Sequence, residues 1–549
     1  MNYQEKPWLS SYPDGVGAKT GFEDLCIPDF LERSAREFPE DMAVNFMGSM
    51  LTFRQLKDTV DRFAACLMDL GIAKGDSVAI LLPNTIQCVA AYYAILKIGG
   101  IAVMNNPLYS DKELLHQYND LGAKALVALD LLADRMIDIR PKTSIEHIIV
   151  ASIADYIPIP GLAAAVKEAP QVSRWKDVID RYRPINISVP LTLDDIAQYQ
   201  YTGGTTGVSK GVELTHANLS RNVQQIASWF PTLKRGGEMM LGALPFFHVF
   251  GLTVSMNYAM YMSWGNVLVP RPQPDQLMDA FEKFRPTFLP MVPAMYVGIL
   301  NHPKISGLDL SYVTGCFCGS APLPVDVIKQ FEEKTGAVIC EGFGMTESSP
   351  ATHCNPFAKG KTKPGSIGVP LPDTECRIVS LADRKTDMPA GESGELIIKG
   401  PQVMESYKGM PAETGDVLRD GWLHTGDIAR MDDDGYFFIV DRLKDMIISG
   451  GYNVYPRDID EVLYQHPKVM DACAIGVPHP VRGEAVKVFV VLKEGQTATG
   501  NEIIHFCKDK LAKYKWPDEV EFRASLPKSM VGKILRKDLR SEELAKREK

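Results

Sequence analysis

A disulfide framework is missing from this sequence: its ten cysteines run singly from Cys26 to Cys507, scattered along a long chain. Such usage fits free thiols in a reducing compartment rather than an oxidised scaffold. Cys316 and Cys318 form a lone C-x-C without a second pair at ligand spacing, so small core or loop residues are expected there rather than zinc. A basic excess is missing as well. Against 68 Asp and Glu stand 59 Lys and Arg, for a formal net charge of −9, which argues against a nucleic-acid-binding protein. Long apolar runs are also lacking. The most apolar stretch, Val89 to Met104, is broken by Lys97, Gly99 and Gly100, short of the roughly 20 residues a membrane helix needs. The N-terminal residues lack the charged start, apolar centre and small-residue cleavage site of a signal peptide. A cytoplasmic protein is expected, with scope for peripheral membrane contact.

What is present is an ordinary globular composition, 45% apolar and 23% charged over 549 residues, enough for roughly three or four folding units. Thr52 is placed to cap a helix carrying Leu56, Val60, Phe63, Ala64 and Leu67 near helical spacing. Ser77 to Leu82 reads as a buried strand, 85–98 as a helix stopped by Gly99-Gly100, and Ile101 to Met104 as the next strand. Strand, helix and strand with short connections predict parallel α/β architecture. The alternation returns over 264–300, after an irregular stretch marked by Pro158, Pro160, Gly161 and Pro170. Beyond residue 370 the texture turns to short β runs, Glu375 to Val379, Glu395 to Lys399 and Tyr436 to Val440. After Asp441 helix and strand alternate again. The expected fold is thus α/β and α+β multidomain. A large N-terminal domain, 1–442, would hold two α/β subdomains and a β-rich one, and 443–549 a small α+β domain.

The clearest chemical signal is Tyr201-Thr202-Gly203-Gly204-Thr205-Thr206-Gly207-Val208-Ser209-Lys210-Gly211. Glycines allow tight turns whose N–H groups converge on an anion, threonines add hydroxyl donors, and Lys210 adds charge. That is the chemistry of a triphosphate cradle. It is not the Walker loop, because Val208 follows Gly207 and Gly211 follows Lys210.

Five further motifs follow in order: Leu244-Pro245-Phe246-Phe247-His248, Gly342-Phe343-Gly344-Met345-Thr346-Glu347, the run Gly421 to Asp427, Asp441-Arg442-Leu443-Lys444-Asp445, and Gly532-Lys533-Ile534-Leu535-Arg536. With the loop they resemble the adenylate-forming superfamily of acyl-CoA synthetases, peptide-synthetase adenylation domains and luciferases, over roughly residues 199–540. The resemblance implies carboxylate attack on the α-phosphate of ATP, giving an acyl-AMP and pyrophosphate.

Residue by residue, it implies that Gly203, Gly204, Thr205, Thr206, Gly207 and Lys210 bind the phosphates. Thr346 would contact the adenylate phosphate, and Glu347 would hold Mg²⁺, with Thr202 a further contributor near the metal. Asp427 would accept from the ribose hydroxyls, supported by Arg442. Gly319, Ser320 and Ala321, with Glu341, Gly342 and Phe343, would line the adenine; for Phe343 a packed core aromatic is the competing reading. His248 would shape the carboxylate end of an acyl pocket, with Val249, Phe250, Leu252, Thr253 and Met256 as its tunnel; a satisfied core histidine is the competing reading. Lys533 would be the adenylation lysine. Lys444 would be the pivot of a hinge on which the small domain swings, bringing Ser449, Gly450 and Gly451 to the adenylate for coenzyme A. Ile448 departs from relatives that carry a lysine near the nucleotide.

The phrases Asp420 to Ile428, Gly450 to Pro456 and Lys6-Pro7-Trp8-Leu9 look most like fatty-acyl-CoA ligases. The implied activity is ATP- and Mg²⁺-dependent ligation of a medium- or long-chain fatty acid to coenzyme A, by a monomer or homodimer. Three rivals stand beside it: an aromatic-acid ligase of hydroxycinnamate type, an acyl-AMP ligase serving a carrier protein, and an inert nucleotide-binding regulator. The last residues, Arg547-Glu548-Lys549, are not a peroxisomal Ser-Lys-Leu address, and no carrier domain is expected after them.

Overall fold

A computed structural model describes residues 3–157, 159, 161–185, 189–202, 209–529 and 532–547. Helix Phe53–Asp69 begins where the sequence places it. Thr52 Oγ1 accepts the Gln55 N–H and the Gln55 side chain returns to the Thr52 N–H, a reciprocal cap worth about 1 kcal/mol. Strand Ser77–Leu81, helix Ile86–Lys97 and strand Ile101–Met104 follow, and the two strands pair in parallel. Every residue of Ile86–Lys97 is buried, which is why its sequence shows no amphipathic stripe.

Among the described residues the strands form four sheets. An eight-stranded sheet runs Ser406–Tyr407, Gly211–Thr215, Ile196–Tyr201, Ile101–Met104, Ser77–Leu81, Ala125–Leu129, His147–Ala151 and Val172–Arg174. A nine-stranded sheet runs Val369–Pro370, Ala351–Cys354, Ile339–Gly344, Gly315–Cys318, Phe288–Met291, Met239–Gly242, Gly265–Leu268, Met42–Phe46 and Ser49–Thr52. One continuous apolar core joins them through Ile86–Lys97 and His216–Trp229. Cys316 and Cys318 are buried in strand Gly315–Cys318 of this core. A five-stranded sheet contains Glu375–Val379, Gly394–Lys399, Leu418–Arg419, Trp422–Met431 and Phe437–Arg442. These are the β runs read beyond residue 370.

Strand Phe437–Arg442 ends that sheet, and Ile447–Ser449 opens another, so the chain changes sheets across the turn at Lys444. The last sheet pairs long strands Val469–His479 and Gly483–Leu492, flanked by Ile447–Ser449, Tyr452–Val454 and Glu519–Phe522. It has its own cores, one of which packs Ile459, Leu463 and Ile503 against Val486 and Val488.

Candidate active site

The carboxyl ends of neighbouring strands build one wall of the cleft, the usual place for a ligand in an α/β sheet. Cys318 pairs with Glu341 across two parallel strands, so Gly319-Ser320-Ala321 and Glu341-Gly342-Phe343 leave the sheet side by side. The Glu341 carboxylate is occupied: it accepts the N–H of Leu323 at 3.1 Å and of Gly365 at 3.4 Å. Burial pushes its pKa up to about 7 despite those donors. Its side chain therefore ties two loops together. Phe343 is half-buried, its ring edge-on to His353 at 6.0 Å. Burial drives His353 down to about 3, so it is neutral.

Strand Ile339–Gly344 runs into a single turn of 3₁₀-helix, Thr346–Ser348. Here Glu347 Oε1 accepts the Tyr407 hydroxyl at 2.7 Å. Nearby, Thr202 and Lys210 flank the Gly/Thr-rich segment, and the Thr202 N–H donates to the Lys210 carbonyl at 3.1 Å. Gly203, Gly204, Thr205, Thr206 and Gly207 lie outside the described residues. The Lys210 ammonium stands 4.6 Å from the centre of the Tyr407 ring. For Mg²⁺ the donor set is a half-buried carboxylate and a threonine hydroxyl. That suits a hard cation which keeps its waters and is held mainly by substrate phosphates.

Asp427 and Arg442 face each other across antiparallel strands, with Arg442 Nε donating to Asp427 Oδ1 at 3.1 Å. Asp427 is 3% exposed, yet its Oδ2 has no hydrogen-bond partner. A buried carboxylate oxygen without a donor is costly, of order 1–3 kcal/mol or more. A ribose hydroxyl would satisfy it, so the site fits a nucleotide. The strand carrying Asp427 is held from behind: Glu395, fully buried, takes Arg384 on both oxygens, His424 Nδ1 at 2.9 Å and the Gly426 N–H.

Lys533 arrives from the small domain. Its loop touches the large domain at Ala294, whose Cβ lies 3.9 Å from where a Cβ on Gly532 would sit. The Lys533 side chain stays open to the cleft but is ringed by protein. Loss of hydration and the Arg442 charge lower its pKa to about 8, against the opposing pull of Asp427. Lys444 is lowered to about 8 as well, by burial and Arg442. His248 is held near 4 by burial and by the Lys533 charge, so it is neutral and accepts the Phe250 N–H at Nδ1.

Below His248 the helix widens into a buried π-helical segment, Gly251–Asn257, a distortion often found at functional sites. Gly251 is required there, since a Cβ would lie 2.3 Å from the Pro245 carbonyl oxygen. Thr253 donates to the Ser349 carbonyl at 2.7 Å, linking this segment to the Glu347 turn. Val249, Phe250, Leu252, Thr253 and Met256 are all buried.

The structure thus links Lys210 through Tyr407 to Glu347, and brings His248, Asp427, Arg442, Lys444 and Lys533 within reach of one another's charges, with Thr202 bonded to Lys210 and Thr346 next to Glu347. Ser449, Gly450 and Gly451 are elsewhere in the small domain. The two glycines, with φ of 60° and 84°, make the tight turn of a hairpin, and Gly450 N–H donates to Arg482. Sequence reasoning missed Tyr407, Arg384 and Glu395. Tyr407 sits in a two-residue strand, Ser406–Tyr407, too short for any periodicity. Glu395 opens the strand Gly394–Lys399 ahead of Leu396, Ile397 and Ile398, and nothing in that run separates it from a solvent-facing carboxylate at a strand end.

The AMP-binding enzyme family matches residues 31–408, and its C-terminal domain matches residues 458–533. The chain is 43% identical over 556 residues to a long-chain-fatty-acid–CoA ligase of Bacillus subtilis, covering 98% of each. It is 35% identical over 508 residues to a feruloyl-CoA synthase of an Amycolatopsis species, covering 92% of this chain and 97% of that one. A solved anthranilate CoA ligase in complex with anthranoyl-AMP superposes with a TM-score of 0.86 at 27% identity, covering 97% of this chain and all of that one. The chain therefore belongs to the AMP-binding enzyme family, the adenylate-forming superfamily that its six motifs resemble.

Proposed function

We propose that the chain is an AMP-forming ligase that couples a medium- or long-chain fatty acid to coenzyme A. The observation that carries the reading is the buried Asp427 carboxylate, paired with Arg442 on one oxygen and without a donor on the other, in the cleft that Lys533 enters. One cation there can face both the fatty carboxylate and the α-phosphate of ATP. A carboxylate oxygen attacks the α-phosphorus and pyrophosphate leaves. The coenzyme A thiol, losing its proton, then attacks the acyl carbon and AMP leaves. In the first step charge builds on the α-phosphate oxygens, and Lys533 and Thr346 stabilise it. Asp427 and Arg442 hold the ribose, while Thr202, Lys210 and the loop between them hold the β- and γ-phosphates. Mg²⁺ would neutralise phosphate charge, held by Glu347 with help from Thr202. Neutral His248 leaves the carboxylate end of the pocket without a competing charge.

The pose with Lys533 in the cleft suits adenylation. For the thiol step the small domain rotates about Lys444, withdrawing Lys533 and presenting Ser449, Gly450 and Gly451. The 43% identity over nearly the full length to a long-chain-fatty-acid–CoA ligase supports the fatty acid. The feruloyl-CoA synthase relative keeps an aromatic acid as the second reading. An acid panel separates them: with ATP, Mg²⁺ and coenzyme A, palmitate or octanoate should outpace ferulate by about tenfold or more, within the reach of apolar pocket discrimination. Ferulate as the best acid would overturn the fatty-acid assignment. Thioester formed only on a carrier protein, with free coenzyme A inert, would overturn the acceptor.

Glu347 supplies a second check. Glu347→Gln keeps the shape and the Tyr407 contact but removes the charge, so the Mg²⁺ needed for half-maximal adenylation should rise by roughly tenfold or more, a loss of ~1.4 kcal/mol. An unchanged Mg²⁺ titration would return Glu347 to a structural role.

A further inference from the structure

Lys210 and Glu347 are both seated by one side chain that belongs to none of the six motifs. Tyr407 donates its hydroxyl to Glu347 Oε1 at 2.7 Å and presents its ring to the Lys210 ammonium, 4.6 Å from the ring centre. The backbone around it repeats the connection. Met404 N–H donates to the Glu347 carbonyl and Lys408 N–H to the Gly211 carbonyl, both at 2.8 Å, and Tyr407 pairs with Val212. Segment 404–408 thus clips the Glu347 turn to the exit of the phosphate loop.

The chemistry of the contact is specific. A lysine and a carboxylate free to meet would form an ion pair, neutralising each other before any phosphate or metal arrives. An aromatic ring attracts the ammonium through its quadrupole without supplying a countercharge. A single phenol hydrogen bond orients the carboxylate while using one of its roughly four lone-pair sites.

We propose that Tyr407 is a positioning residue that holds Lys210 and Glu347 apart, the first aimed at substrate phosphate and the second at Mg²⁺. The proposal rests on the ligase reading above, but its test does not need turnover. Calorimetric binding of ATP to the full chain is measured with and without Mg²⁺, beside thermal melting. Tyr407→Phe keeps the ring and loses the hydroxyl. The Mg²⁺ needed for half-maximal stimulation of ATP binding should rise about tenfold, the usual scale for losing a partner of a metal ligand, with Mg²⁺-free ATP binding unchanged. Tyr407→Leu loses the ring as well, so Mg²⁺-free ATP binding should also weaken as Lys210 closes on Glu347.

An unchanged Mg²⁺ dependence in Tyr407→Phe would overturn the proposal. So would equal losses with and without Mg²⁺ accompanied by a lower melting temperature, which mark a merely structural tyrosine. Wild-type protein that binds ATP with Mg²⁺ but forms no acyl-AMP would sink the ligase reading and leave this comparison readable.

Discussion

Lys533→Ala should lose about 10²-fold or more of acyl-AMP formation, the scale of one transition-state electrostatic contact. It should still turn supplied acyl-AMP and coenzyme A into acyl-CoA. The reason is where the charge develops. On the proposed reading, attack on the α-phosphorus gathers negative charge on oxygens that Lys533 would face, whereas thiol attack on the acyl carbon would follow withdrawal of the lysine. The protein that rings Lys533, with the Arg442 charge, lowers its pKa to about 8. The ammonium is therefore present below that pH and lost above it. In the free enzyme, kcat/KM for ATP in the adenylation half-reaction should fall as pH rises through about 8, because that ratio reports free-enzyme groups. Lys444 is also lowered to about 8, so assignment needs Lys533→Arg, which stays charged and should shrink the alkaline limb. Equal loss of both half-reactions in Lys533→Ala would remove the division of labour.

Lys444→Pro should do the reverse. Lys444 lies between the last strand of one sheet and the first strand of the next. Its turn is closed by Asp445 and Met446 N–H groups donating to the Arg442 carbonyl, and Arg540 donates to the Lys444 carbonyl at 3.2 Å. A rotation of the small domain has to pass through the φ and ψ of this turn. Proline fixes φ near −65°. Hinge positions absorb such changes away from the bond-making atoms. Held with Lys533 in the cleft, the variant should release pyrophosphate and accumulate bound acyl-AMP. Thioester formation should fall steeply, even from preformed acyl-AMP, because the Gly450-Gly451 turn stays away from the cleft. Simple damage by proline would lower both half-reactions and the melting temperature together.

Much of this was legible because it is local. Thr52 and Gln55 write their cap into four residues, and the alternation from Ser77 to Met104 follows from burial. The site residues were legible through resemblance rather than through physics. Nothing in the spacing of Asp427 and Arg442 announces that they are cross-strand partners, since strand register is set by pairing and not by composition. The π-helical segment Gly251–Asn257 reads as an ordinary apolar run, and the close approach of Gly251 to Pro245 and of Thr253 to Ser349 appears only in the folded chain. Glu341 falls in the stretch expected to line the adenine, and nothing in its sequence shows that the carboxylate accepts the N–H groups of Leu323 and Gly365. Tyr407 was invisible because its importance is a distance of 60 residues folded into one hydrogen bond to Glu347.

The most direct test of the two-pose account measures both half-reactions separately on Lys533→Ala and Lys444→Pro, with melting temperatures alongside. Pyrophosphate release from ATP and palmitate reports the first, and acyl-CoA from preformed acyl-AMP reports the second. The account predicts opposite losses: the first half-reaction in Lys533→Ala, the second in Lys444→Pro. Parallel losses in both variants, with both proteins folded, would contradict it.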